Sequence, residues 1–209
     1  MKKILIILLI LSSINIYAKD KGIGANIQTH SESEITESGG SEIEVTDETY
    51  IFGGSFHNFK TRTLEYEADV FFGYNRSDNG VSDSKQNFFG LGGGINFHIL
   101  NGKVLSTGLG ARLSFEKYMK PVRDPEVEYD SYNKFNIGLE MPIFLDVNMH
   151  EKFLIRFSAV AAGLLYDYRS QEVEGVKESQ YNLDFYTTRT SNTESRSWFP
   201  ISIYFIYKF

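Results

Sequence analysis

The final residues of the chain alternate strictly. Phe199, Ile201, Ile203, Phe205, Tyr207 and Phe209 occupy every second position, with Pro200, Ser202, Tyr204, Ile206 and Lys208 between them. A period of two places the first set on one face of a β-strand. In water, a bare aromatic face on a sheet edge is a template for aggregation. On a strand that closes a barrel in lipid the same face meets acyl chains, and every backbone group finds a partner.

Seven more segments carry the same pattern. The weakest is Gly22–His30, with Ile23, Ala25, Ile27 and Thr29 on one face. The second, about Thr49–Phe59, turns Tyr50, Phe52 and Phe56 outward. The third is Leu64–Asn75, the fourth Asn87–Ile99 and the fifth Val104–Lys117. The sixth is Lys134–Asn148, and the seventh is Lys152–Tyr166 with Phe153, Ile155, Phe157, Ala159 and Ala161 outward. The connections alternate in length. Lys60–Thr63, Leu100–Lys103 and Met149–Glu151 are tight, and Asn101-Gly102 is a strong hairpin signal. Ser31–Glu48, Arg76–Gln86, Tyr118–Asn133 and Asp167–Arg196 are long and polar. This segregation fits an eight-stranded antiparallel transmembrane β-barrel, all-β, with short periplasmic turns and long extracellular loops.

The chain's ending resembles the C-terminal assembly signal of bacterial outer-membrane β-barrels, with Phe205, Tyr207 and Phe209 at the fifth-last, third-last and last positions. The resemblance implies delivery to the barrel-assembly machinery. The whole chain after residue 18 resembles the small barrels typified by outer-membrane proteins A, X and W, which implies an integral outer-membrane protein with outer-membrane lipid around it.

The start of the chain is consistent with that destination. Lys2 and Lys3 precede an apolar run from Ile4 to Leu11, and Tyr17-Ala18 ends the segment. Residues 1–18 read as a signal peptide and 19–209 as one barrel domain. The run is shorter than the ~20 apolar residues of a spanning helix. Without Lys2 and Lys3 the balance is 19 basic against 27 acidic side chains, a formal charge of −8. Such acidity argues against nucleic acid as a partner. Cysteine is absent, so neither disulfides nor a lipidated N-terminal cysteine are available.

If the apolar stripes face lipid, the lumen receives Glu65, Glu67, Asp69, Asn96, His98, Arg112, Glu116, Glu140, Asp146, Arg156 and Lys208. Eight strands enclose an interior that side chains just fill. Charges confined there must pair, so the three basic groups are expected to be neutralised by carboxylates, with glycines of the fourth and fifth segments making room. The expectation is a charged plug. A narrow path for cations is the alternative, because acids outnumber bases.

Catalysis has little to draw on. A rim enzyme that modifies lipid needs a histidine near a serine or carboxylate. Only His30, beside Ser31 and Ser33, lies near the outer rim, and no metal-ligand spacing or cofactor motif is present. Specificity is left to the loops. Ser31–Glu48 carries Glu32, Glu34, Glu37, Glu42, Glu44, Asp47 and Glu48, a solvated stretch that could also attract a divalent cation or a basic partner. Asp167–Arg196, preceded by Tyr166, intersperses Tyr168, Tyr181, Phe185 and Tyr186 with charges, and Leu183–Thr190 could extend strands beyond the membrane. That composition suits an extracellular protein or glycan ligand. The expected role is structural or surface interaction through the loops.

Overall fold

The computed structural model describes residues 20–38, 41–78, 80, 82–124, 128–187 and 201–209. Residues 1–18, expected to be a signal peptide, and Phe199 lie outside the described residues, as do the side chains of residues 30–44, 124, 186 and 187.

Among the described residues, ten strands form one antiparallel sheet: β1 Asp20–Ser38, β2 Ser41–Phe59, β3 Leu64–Asp78, β4 Asp83–Asn101, β5 Leu105–Tyr118, β6 Val122–Asp124, β7 Ser131–His150, β8 Phe153–Val173, β9 Val176–Thr187 and β10 Ile201–Lys208. Eight of them make a ring in the order β10-β1-β2-β3-β4-β5-β7-β8, closed by β10 against β8. At the seam, β1 pairs with β10 from Gly22↔Lys208 to Thr29↔Ile201, and β10 pairs with β8 from Tyr207↔Phe153 to Ile201↔Ala159. Phe209 ties its backbone to Lys21 with N→O bonds of 2.7 and 3.3 Å.

Inside and outside follow the alternation. Ile23, Phe52, Val70, Phe97, Leu113, Ile143 and Phe205 are exposed, whereas Glu65, Asp69, Asn96, Asp146, Arg156 and Tyr204 are buried. An apolar exterior around a polar interior is the inverse of a soluble barrel and matches a wall solvated by lipid.

Two expectations are corrected. Three of the four long connections are largely strand. Ser31–Glu48 is a two-stranded ribbon reaching Ser38↔Ser41, and Arg76–Gln86 shrinks to a turn beyond Asp78↔Asp83. Much of Asp167–Arg196 is the β8–β9 hairpin, closed at Val173↔Val176. Its turn places Glu174 and Gly175 at φ 51° and 75°, the two positive values that a type I′ turn needs.

The eighth segment is β10, which pairs with β8 from Ala159↔Ile201; above it β9, part of the long seventh connection, runs along β8 as far as Ala162↔Thr187.

The alternation of the seventh segment breaks at Ala161. β7 pairs Pro142 with Val160 but Met141 with Ala162, which leaves Ala161 as the extra residue of a bulge. Proline has no N–H to give the ladder, and bulges are where a strand tolerates that loss. Beyond the bulge the outward set becomes even-numbered: Leu164 is exposed and Gly163 buried.

Candidate functional site

The lumen is filled in layers, each assembled from strands far apart in sequence. The layer nearest the periplasmic turns centres on Arg156, which is 1% exposed. Its guanidinium donates Nη1 to Glu65 Oε1 at 2.9 Å and Nη2 to Glu65 Oε2 at 2.7 Å. It also donates Nε to Asp146 Oδ1 at 2.7 Å and Nη2 to Asp146 Oδ2 at 3.0 Å. Glu67 approaches Nη1 at 3.5 Å, and the Phe144 ring lies 4.3 Å from the guanidinium carbon.

Two histidines on neighbouring strands complete the coordination of Glu65. His57 Nδ1 lies 2.6 Å from Oε1, and His98 Nε2 lies 2.9 Å from Oε2. His57 Nε2 reaches Ser55 Oγ at 2.8 Å. Fully buried charges persist only when hydrogen-bonded on every side, and this layer meets that condition.

His57, Glu65 and Glu67 present ligand atoms within 4.8 Å of one another, close enough to share a metal ion. Arg156 already stands against both carboxylates, so the positive charge at this point is supplied by the protein.

The second layer is built on Arg112. It pairs with Asp69, approaches Glu140 at 4.0 Å, and points Nη1 at Tyr204 Oη, 3.5 Å away. Gly92 leaves the space: a Cβ there would stand 2.9 Å from Arg112 Nε and closer still to Asp69.

Apolar clusters lie at both ends. Leu154, Tyr204 and Ile206 pack with Phe59 at the periplasmic end. Ile51, Phe71 and Phe88 pack with Tyr118 at the other, with Phe88 and Tyr118 stacked at 4.7 Å. Between them is a cavity of about 50 Å³ lined by Glu67, Arg112, Glu116, Glu140, Arg156 and Tyr204 among others. That is room for a handful of waters, each needing roughly 10–15 Å³ on this measure.

Most residues expected in the lumen are there, but two have other partners. Lys208 has no carboxylate within ion-pair distance among the described residues; its ammonium sits 4.8 Å from the centre of the Phe59 ring. Glu116 accepts from Tyr118 Oη at 2.7 Å and from Asn136 Nδ2 at 3.3 Å rather than from a cation. His57, Ser55 and Tyr204 are members that the expected charge list omits. The parity of β2 and β10 already turned them inward, but a list restricted to mostly charged groups passed over them. The side chain of His30 lies outside the described residues. Phe205, Tyr207 and Phe209 all face outward.

Above the apolar wall, the outer mouth carries a second cluster. Tyr129 is buried and meets Tyr132 edge-on at 5.5 Å. Lys120 and Arg123 each hold their charge 5.8 Å from the centre of the Tyr129 ring. Tyr132 Oη accepts from Gln86 Nε2 at 2.7 Å. Burial pushes the Tyr132 hydroxyl above its ordinary range, while Gln86, Arg169 and Arg123 pull it back.

The closed ring is shared with known structures. Outer membrane protein OprG from Pseudomonas aeruginosa matches with a TM-score of 0.52 and 15% identity over 92% of this chain and 96% of that one. The translocator domain of autotransporter NalP from Neisseria meningitidis matches at 0.47 and 9% identity, over 97% and 92% of the two chains. Outer membrane protease OmpT from Escherichia coli matches at 0.41 and 11%, over 92% and 97%. At such identities the likeness is one of fold. No protein-family model and no curated protein matches the sequence.

Proposed function

The chain is a barrel of the bacterial outer-membrane type, and we propose that it works as a plugged membrane anchor that presents its outer ribbons to partners at the cell surface. The observation that carries this reading is the contrast between its two halves. The lumen is crossed by the Arg156 layer, with a cavity of about 50 Å³ above it. The β8–β9 ribbon, by contrast, leaves Tyr181, Leu183 and Phe185 exposed on one face, in register with Tyr168, Tyr166 and Leu164. Exposed aromatics supply contact area at little entropic cost. Assembly belongs to the same proposal: Phe205, Tyr207 and Phe209 are offered to the barrel-assembly machinery on the closing strand.

The test is binding of the refolded barrel to intact cells or to extracellular proteins and glycans, with Tyr181→Ser and Phe185→Ser as variants. Loss of binding in these variants, with the barrel still folded, supports display through the ribbon. Binding that survives both places the contact elsewhere.

A second reading is a narrow cation path. It is favoured by Glu67, Glu116 and Glu140 lining the cavity, a carboxylate surplus that would attract cations if the Arg156 layer opened.

A further inference from the structure

Three cations at the outer mouth have no carboxylate partner among the described residues. Lys120 donates to the Tyr129 carbonyl at 2.9 Å, Arg169 donates to Gln171, and Arg123 lies over the Tyr129 ring. Of the acids nearby, Asp167 faces Lys134 at 3.9 Å, Asp130 accepts the Gly175 N–H at 2.9 Å, and Glu128 is exposed. Three buried polar atoms here are unsatisfied: Tyr129 Oη, Arg123 Nε and Arg169 Nε. Tyr129 is only 5% exposed, so its hydroxyl has lost water without gaining a partner among the described residues. Buried donors left in that state are rare and call for an explanation. All three atoms can donate, and they gather on a chain whose overall charge is −6.

We infer that the outer mouth binds the phosphate or sulfate group of an acidic saccharide, held by Arg123, Arg169 and Lys120 beside the Tyr129–Tyr132 ring pair. Guanidinium groups present forked donors that match such oxyanions, and each charge-assisted bond is about twice as strong as a neutral one. The aromatic pair offers apolar area to a sugar ring next to the anion. This inference rests on the surface-display reading and gives it a ligand class.

The same chemistry has two sources, a soluble glycan or the phosphates of the lipid headgroup layer around the barrel. The experiment is an equilibrium titration of the refolded full barrel in detergent with dextran sulfate, neutral dextran and inorganic phosphate. Dextran sulfate should bind saturably and be competed by phosphate, and neutral dextran should not bind. Arg123→Gln with Arg169→Gln should weaken dextran sulfate by about tenfold or more, while Lys152→Gln, in a periplasmic turn, should leave it unchanged. If the double variant fails to refold, exposed Lys120→Gln should still weaken binding about two- to threefold.

Repeating the titration in nanodiscs separates the sources. Loss of dextran sulfate binding only in discs containing lipopolysaccharide means lipid-borne phosphates fill the site; retention in both kinds of disc means a soluble saccharide. Dextran sulfate binding that ignores all these mouth substitutions overturns the site. If cell or protein binding through Tyr181 and Phe185 persists in that case, the display reading survives and only the acidic-saccharide inference falls.

Discussion

Arg156 on β8 and Glu65 on β3 meet as a two-pronged pair, 2.9 and 2.7 Å, from strands on opposite sides of the eight-stranded ring. No backbone ladder joins those strands, so this pair is a strut across the barrel. Arg156→Ala should therefore lower unfolding stability in lipid or detergent by about 3–5 kcal/mol, less whatever lumenal water returns. Arg156→Lys should fall between, because an ammonium cannot reproduce the fork. Urea titration followed by gel mobility of unboiled samples measures both, with Leu109→Ala as the lipid-facing comparison. Equal loss in Arg156→Ala and Leu109→Ala would remove the strut.

Glu65 and Glu116 are both lumenal carboxylates but differ in their partners. Glu65 accepts from Arg156, His57 and His98, whereas Glu116 accepts from a tyrosine hydroxyl and an amide. Glu65→Gln should destabilise by about 1–3 kcal/mol, and by more than Glu116→Gln, since hydrogen bonds to charged partners are the stronger ones. Thermal unfolding of the two variants side by side decides it.

The bulge at Ala161 makes a directional prediction. Strict alternation from Phe157 would turn residues 163 and 165 to lipid; the bulge turns residue 164 instead. A fluorophore at position 164 should be quenched by a lipid-borne quencher and one at 165 should be spared. The reverse pattern would put the bulge elsewhere.

The closing strand can be tested through assembly. Phe209→Ser should reduce the yield of folded barrel in cells more than Ile95→Ser, an equally outward change in mid-wall. Equal yields would detach the C-terminal aromatics from assembly.

How much of this was legible in the sequence depended on what lay outside each strand. Where one face met lipid and the other a packed lumen, as in β3, β5 and β7, side chains had to alternate, and the period of two disclosed both strand and parity. Arg112, Arg156, Glu65 and Asp146 were placed inward by that parity alone. Above the wall the β1–β2 ribbon sets Glu37 opposite Glu42, and such a run of acidic residues carries no apolar period, so the segment resembles a loop. Ala161 is small enough to sit on either face, and only Pro142 across the ladder signalled a bulge. Which carboxylate meets which cation was not legible: Glu65 and Arg156 are 91 residues apart and become opposites only when the ring closes. The outer cluster of Tyr129, Arg123 and Arg169 needs β6 beside β4, a pairing too short to leave a pattern.

The central claim is a lumen sealed by the Arg156 layer, and single-channel recording in planar bilayers tests it most directly. The native barrel should be electrically silent, and Arg156→Ala should open brief or steady cation-preferring currents through the carboxylate-lined cavity. Regular unitary currents from the native protein, unchanged in Arg156→Ala, would contradict the plug and make the barrel a channel.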